Sequence, residues 1–213
     1  MNDERKGGVA LIAGTTLLIV TMAVHPTGHD LFVPGRFARA ALIGVFAHAL
    51  AIASLPLSFL GALALSRRLA GPDRLAISGL VVYAMALVAG LIAAVVSGFV
   101  APAIAREMID APPAASDAWQ ALFHTNGAVN QAFARVLVVG SSAAILLWSC
   151  AILAGRVFGR GIAIYGLVMG AAIVLALMSG HLSLDVHGFG MVVLAQAVWF
   201  ITIGARMTRA RAE

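Results

Sequence analysis

Long uncharged stretches separated by short charged segments dominate the pattern of this chain. Six stretches contain no Asp, Glu, Lys or Arg, and each is long enough to cross a bilayer, which takes about 20 helical residues at 1.5 Å per residue. They run over residues 7–29, 40–66, 75–105, 136–155, 161–184 and 186–205. Apolar and polar residues do not alternate within them, and Ala, Leu, Val and Gly dominate. The pattern therefore indicates helices and not barrel strands.

These stretches predict an all-α, polytopic integral membrane protein, built as a compact six-helix transmembrane bundle. The loops are short, so we expect one transmembrane domain over residues 1–213. We expect helices over residues 8–25, 37–66, 75–105, 118–155, 161–182 and 187–206. The first stretch lacks a small-x-small cleavage site and continues into a polar loop, so it is interpreted as a retained helix and not as a signal peptide.

The basic residues are distributed unevenly between the two sides of this topology. Ten lie on the side of the chain termini and four on the other, which places both termini in the cytoplasm by the positive-inside rule. The ten are Arg5, Lys6, Arg67, Arg68, Arg74, Arg156, Arg160, Arg206, Arg209 and Arg211, and the four are Arg36, Arg39, Arg106 and Arg135. The composition, rich in Ala, Gly and Arg, is taken as bacterial. We therefore expect a multi-pass protein of the bacterial inner membrane with its other face in the periplasm.

Composition and charge exclude several classes of protein. Apolar residues make up 62% and charged residues 11% of the chain, whereas a soluble domain has about 25% charged residues. The chain is thus neither an ordinary soluble domain nor disordered. The sequence pI is near 10.7, but the basic residues lie at loop ends and form no patch, so the partner they indicate is the lipid bilayer and not nucleic acid. Cys150 is the single cysteine, which excludes an intrachain disulfide.

All six histidines fall in the predicted periplasmic half. Two clusters stand out there, one after the first span and one between the fifth and sixth spans. Their candidate ligands are His25, His29, His181, Asp185 and His187. Imidazole and carboxylate together bind zinc and copper(II), and nearby methionines, Met22 among them, would suit copper(I). The sequence therefore predicts a periplasm-facing metal site in which these side chains converge, used for metal handling or for metal-assisted chemistry on a membrane substrate.

A haem-b electron carrier is the alternative interpretation. His48 lies within the second span, with Gly44 one helical turn before it, and two histidines on separate helices can hold a haem iron. The partner of His48 would be His124, His181 or His25. A third interpretation is a cofactor-free small transporter or a membrane assembly subunit. The sequence leaves open whether the protein is an enzyme, and whether it binds a small or lipid-like ligand, a second copy of itself or another membrane subunit.

Polar residues form a stripe along the fourth span. Its members fall within about 40° of arc at 100° per residue. They are His124, Gln131, Arg135, Ser142 and Ser149. Because a charged side chain is costly in lipid, we expect the stripe to face the bundle interior. The partner of Arg135 would then be Asp185 or a lipid headgroup.

Overall fold

The computed structural model describes residues 3–26, 31–33, 35–71 and 74–209, and the secondary structure within these ranges is helical without a strand. The helices are α1 (Asp3–Val24), α2 (Phe37–Arg68), α3 (Leu75–Val95), a π-helical segment (Val96–Val100), α4 (Ala101–Asp110), α5 (Ser116–Gly155), α6 (Arg160–Met178) and α7 (Val186–Arg209). Within these described ranges, six helical spans, counting α3 to α4 as one, are long and apolar enough to cross a membrane. The predicted all-helical protein with six candidate spans is confirmed, while its orientation in the membrane stays a prediction.

The third span, predicted as a helix over residues 75–105, changes its helical geometry near Pro102. It contains five π-helical residues, Val96–Val100, directly before Ala101 and Pro102. Proline lacks the backbone N–H of a regular helix, and its ring crowds the carbonyl four residues earlier, so an extra residue is accommodated at this point. The fifth predicted helix also ends early, at Met178 and not at 182, because Gly180 adopts a left-handed conformation with φ 77°.

Each helix packs against only some of the others. α1 packs along both α2 and α7, α3 packs along α5, and α6 lies mainly against α5. α1 and α2 approach closely where Gly61 faces the backbone of Leu11, since a Cβ atom on Gly61 would lie 2.7 Å from the Leu11 Cα. Small residues allow such contacts between membrane helices. Together with the close contacts of Gly7 and Gly14 against α2, this contact fixes how far α1 and α2 are shifted along each other.

The two halves of the bundle are filled differently. Near the α2–α3 loop, the aromatic rings of Tyr83, Trp148, Trp199 and Phe200 pack together with centroids 5.2 to 6.3 Å apart. The indole N–H of Trp148 donates to the Ser66 hydroxyl at 3.0 Å and also contacts the Ala76 carbonyl. The opposite half, where α1 ends and α2 begins, encloses a cavity instead.

Candidate functional site

A half-open cavity of about 430 Å³ lies between α1, α2, the end of α3, the π-helical segment, the start of α4, α5 and the start of α7. Small and apolar residues form most of its wall, and a few polar side chains interrupt them. The polar residues are Thr21, His25, His48, Ser97, Asn126, Asn130, Gln131 and Asp185. A concave, mostly apolar pocket with a few polar groups is the usual form of a ligand site.

Two histidines meet at this cavity. The Nε2 atoms of His25 and His48 are 3.2 Å apart, and the rings meet edge to face with centroids 4.7 Å apart. His48 is buried, with 7% of its surface exposed, and His25 is half-buried. The structure thus joins one residue of the predicted outer metal set to the histidine of the predicted haem site.

The local sequence explains how each ring is held. α1 ends at Val24, since a residue that precedes proline avoids the helical conformation, and His25 then leaves the helix beside Pro26. The Nδ1 atom of His25 lies 2.8 Å from the Pro26 carbonyl oxygen. In α2, the Nδ1 atom of His48 lies 2.7 Å from the Gly44 carbonyl oxygen, one turn earlier.

The π-helical segment also packs closely against His48. A Cβ atom on Gly98 would lie 2.3 Å from the His48 Cβ, so only a glycine lets the segment approach the ring this closely. Because π-bulges occur frequently at functional sites, this contact marks the His48 ring as part of the site.

The hydrogen bonds of the two rings determine where their protons lie. A carbonyl oxygen only accepts hydrogen bonds, so both Nδ1 atoms carry a proton and donate it. In neutral imidazole the second nitrogen is then a lone-pair acceptor. With these tautomers, two lone pairs face each other across 3.2 Å, an arrangement that a cation between or beside them would stabilise.

The other members of the predicted metal set do not join this pair. Among the residues that the structure describes, no group of three or more His, Cys, Asp or Glu side chains is placed to hold a metal ion. His181 is exposed, and its Nδ1 atom contacts the Ser179 hydroxyl of its own turn at 2.9 Å. His187 is exposed on the first turn of α7, and His29 lies outside the described residues. Among the described residues, the predicted convergence of these ligands on one ion is thus not found.

The Asp185 carboxylate accepts hydrogen bonds from groups at the start of α7 and in the turn before it. Its Oδ1 atom accepts the backbone N–H of Gly188 at 2.8 Å, and its Oδ2 atom accepts the Ser183 hydroxyl at 2.8 Å. These two bonds lower the pKa of Asp185, since both stabilise the ionised carboxylate. The residue therefore acts as the N-cap of α7.

We expect Asp185→Ala to lower the melting temperature of the purified protein, measured by circular dichroism, because α7 loses its cap. The stabilisation is fully present above the unfolded-state pKa of about 3.9 and disappears as the pH falls through the lower folded pKa. The curves of the two proteins should therefore differ near neutral pH and converge in strong acid. Asp117→Ala, an exposed position in the first turn of α5, is the control. Equal melting temperatures at neutral pH would contradict the capping role.

The polar stripe of the fourth span, now α5, faces the interior only in part. Ser142 is buried and accepts a hydrogen bond from the Gln196 amide at 3.0 Å, and the Gln131 amide donates to the Leu184 carbonyl at 3.1 Å. His124 and Arg135 are exposed, and Arg135 forms no ion pair with any described residue. The expected interior position of Arg135 is therefore wrong.

Burial along this part of α5 changes from one residue to the next. Ala134 is buried, whereas Arg135, the next residue in the chain, is exposed. Further along the same helix, Ser142 and Ser149 are buried.

Sequence reasoning missed the remaining polar wall of the cavity. Asn126 and Asn130 lie one helical turn apart on α5, a spacing that is visible in the sequence but has no chemistry of its own. Ser97 and Gly98 lie in the π-helical segment, and no sequence signal predicts that segment beyond the nearby Pro102. No protein-family description matches the chain, and neither a curated protein nor a solved structure is significantly similar to it.

Proposed function

We propose that the chain is a multi-pass membrane protein that binds one transition-metal ion, zinc or copper, through the Nε2 atoms of His25 and His48. One observation carries this proposal: the ring contacts need one more proton than two neutral imidazoles possess. Three contacts, from each Nδ1 to a carbonyl and between the Nε2 atoms, require three N–H hydrogens. A metal ion bound to both Nε2 lone pairs removes the deficit.

The distance between the nitrogens supports neighbouring positions on one ion. Metal–imidazole bonds of about 2.0–2.1 Å hold two nitrogens about 3.3 Å apart at tetrahedral angles, close to the 3.2 Å between His25 and His48. A haem iron binds its axial imidazoles on opposite faces, which needs about 4 Å between the nitrogens and a porphyrin between the rings. The geometry therefore favours a metal ion over the haem alternative.

A shared proton is the competing occupant, and it would suit a cofactor-free transporter. It would place a positive charge on the pair. The wall of the cavity around the two rings is mostly apolar, and such surroundings disfavour the charged form of an imidazole. Asp185, the carboxylate among the described lining residues, already accepts two hydrogen bonds. This environment favours neutral rings, which is the form that binds a metal.

An ion held by two histidines keeps further coordination positions open. Structural zinc sites are usually closed by four protein ligands, whereas catalytic sites keep at least one position free. Met22 lines the same cavity, and its thioether would favour copper(I) over zinc. Incomplete protein ligation beside a half-open cavity suits reversible metal handling or metal-assisted chemistry.

Metal analysis of the purified protein, from cells supplied with zinc or with copper, tests the proposal. We expect about one ion per chain, and X-ray absorption should show two imidazole nitrogens at about 2.0–2.1 Å. His25→Ala and His48→Ala should each lower the metal content at least tenfold. His124→Ala and the double variant His181→Ala/His187→Ala are the controls and should keep it.

Three results would overturn the proposal. The first is a metal-free protein in both preparations, and the second is a haem absorption spectrum. The third is a metal content that depends on His181 and His187 but not on His25 and His48, which would restore the outer cluster predicted from the sequence.

A further inference from the structure

The wall of the cavity formed by α5 and the π-helical segment carries polar groups that the protein itself does not use. Ser97 and Asn130 both line the cavity and are half-buried. Neither side chain makes a hydrogen bond to any residue within the described ranges. Asn126 makes one long contact, 3.4 Å to the Val96 carbonyl, and Gln131 uses its amide N–H on Leu184. Donors and acceptors thus remain free along this wall.

The Asn130 and Ser97 side chains are available to a molecule that enters the cavity. Both are only half-buried, so each can be solvated when the cavity holds water. A ligand that displaces this water must replace its hydrogen bonds or lose about 1–3 kcal/mol for each polar group. The wall therefore favours a ligand that carries a hydrogen-bonding group where it meets these side chains.

The charge of the wall limits the chemistry of this partner. Among the described residues, the lining includes neither Lys nor Arg, and the Asp185 carboxylate is occupied by Ser183 and Gly188. An anionic ligand would find no counter-charge in this lining, and a cation would meet only the one carboxylate, which already caps α7. An amide and a hydroxyl bind a neutral oxygen well, because both can donate and accept hydrogen bonds.

The size of the cavity limits the ligand as well. At about 430 Å³ the cavity is much larger than an ion needs, and it falls in the range of about 300–1,000 Å³ that holds small organic molecules. Leu18, Leu55 and Leu137 offer apolar surface for the body of such a molecule.

We infer that this cavity binds a small, uncharged, lipid-soluble organic molecule through an alcohol or carbonyl oxygen held by Asn130 and Ser97. The body of the molecule lies against the leucines. This inference is independent of the metal proposal, because it rests on α5 and the π-helical segment and not on the histidines.

Fluorine NMR of EDTA-treated protein in nanodiscs tests this inference without any metal. The probe is 4-(trifluoromethyl)benzyl alcohol, and the comparison molecule is 1-ethyl-4-(trifluoromethyl)benzene, which has a similar shape without the hydroxyl. We expect saturable binding of the alcohol above the signal of empty nanodiscs, and weaker binding of the hydrocarbon. Asn130→Leu and Ser97→Ala should each weaken binding of the alcohol by about two- to tenfold, the range for one neutral hydrogen bond.

A matched control separates the cavity from general effects on α5. Gln120→Leu makes the same kind of change at an exposed position of the same helix, outside the cavity, and should bind the alcohol like the wild type. Saturable binding that is unchanged in Asn130→Leu and Ser97→Ala would overturn the inference. So would a signal equal to that of empty nanodiscs, which would mean that water alone satisfies the wall.

Discussion

Gly98→Ala is expected to weaken metal binding by about 10- to 100-fold, the usual loss when a group that positions a metal-ligating histidine is changed. The new methyl group would lie 2.3 Å from the Cβ and 2.5 Å from the Cγ of His48, far inside van der Waals contact. The π-helical segment or the ring must therefore move, and the two Nε2 atoms separate. Affinity is measured by competition with a zinc or copper indicator, with His48→Ala as the reference for complete loss.

Gly90→Ala provides the matched control for this experiment. Gly90 lines the same cavity and lies on α3, the helix that leads into the π-helical segment. Its new methyl group would meet only the end of the Leu137 side chain, at 3.2 Å, which can shift. We expect near wild-type affinity for Gly90→Ala. Wild-type affinity in a folded Gly98→Ala protein, judged by circular dichroism and gel filtration, would contradict the positioning of His48 by Gly98.

Gly61→Ala is expected to destabilise the protein by about 1–3 kcal/mol, the usual cost of overpacking a close contact. The added methyl group would lie 2.6 Å from the Cβ, 2.7 Å from the Cα and 2.8 Å from the backbone nitrogen of Leu11. Backbone atoms cannot rotate away as a flexible side chain can, so α1 and α2 must separate along their contact. Unfolding in a denaturing detergent, followed by circular dichroism, measures the loss.

Gly161→Ala controls for the general effect of replacing a membrane-helix glycine. Gly161 lies in the first turn of α6, and a Cβ atom there would have no described neighbour within 4 Å. Since alanine favours helix by up to about 1 kcal/mol over glycine, this variant should be equal to or slightly more stable than the wild type. A Gly61→Ala protein as stable as Gly161→Ala would show that the α1–α2 contact is looser than described.

The sequence predicted several of the residues at the site but not which of them lie next to each other. The sequence placed His25 in the outer metal set and also named it, with His124 and His181, as a possible haem partner of His48. It could not choose among these partners, because residues on two antiparallel helices meet only at one particular shift of the helices. A shift of one turn, about 5.4 Å, would part the rings. Close contacts such as Gly61–Leu11 fix that shift, and no pattern within either helix shows which residues make them.

The polar stripe on α5 is a second feature that the sequence predicted only in part. Helical periodicity correctly placed Gln131, Arg135 and Ser142 near one face, since that depends only on the angle per residue. Burial of that face depends on which neighbouring helix covers it at each depth. The stripe is buried at Ser142, where Gln196 of α7 contacts it, and exposed at Arg135.

The sequence by itself determined that this is a helical protein with six candidate membrane spans, because the transfer of apolar side chains into lipid is a property of each residue and adds up along a stretch. Only the tertiary structure decided the His25–His48 pair, the unpartnered wall at Asn130 and Ser97, and the capping role of Asp185. These features depend on helix shift, helix length and the course of the connecting turns. Contacts between residues far apart in the chain set these quantities, and such contacts leave no periodic signal in the sequence.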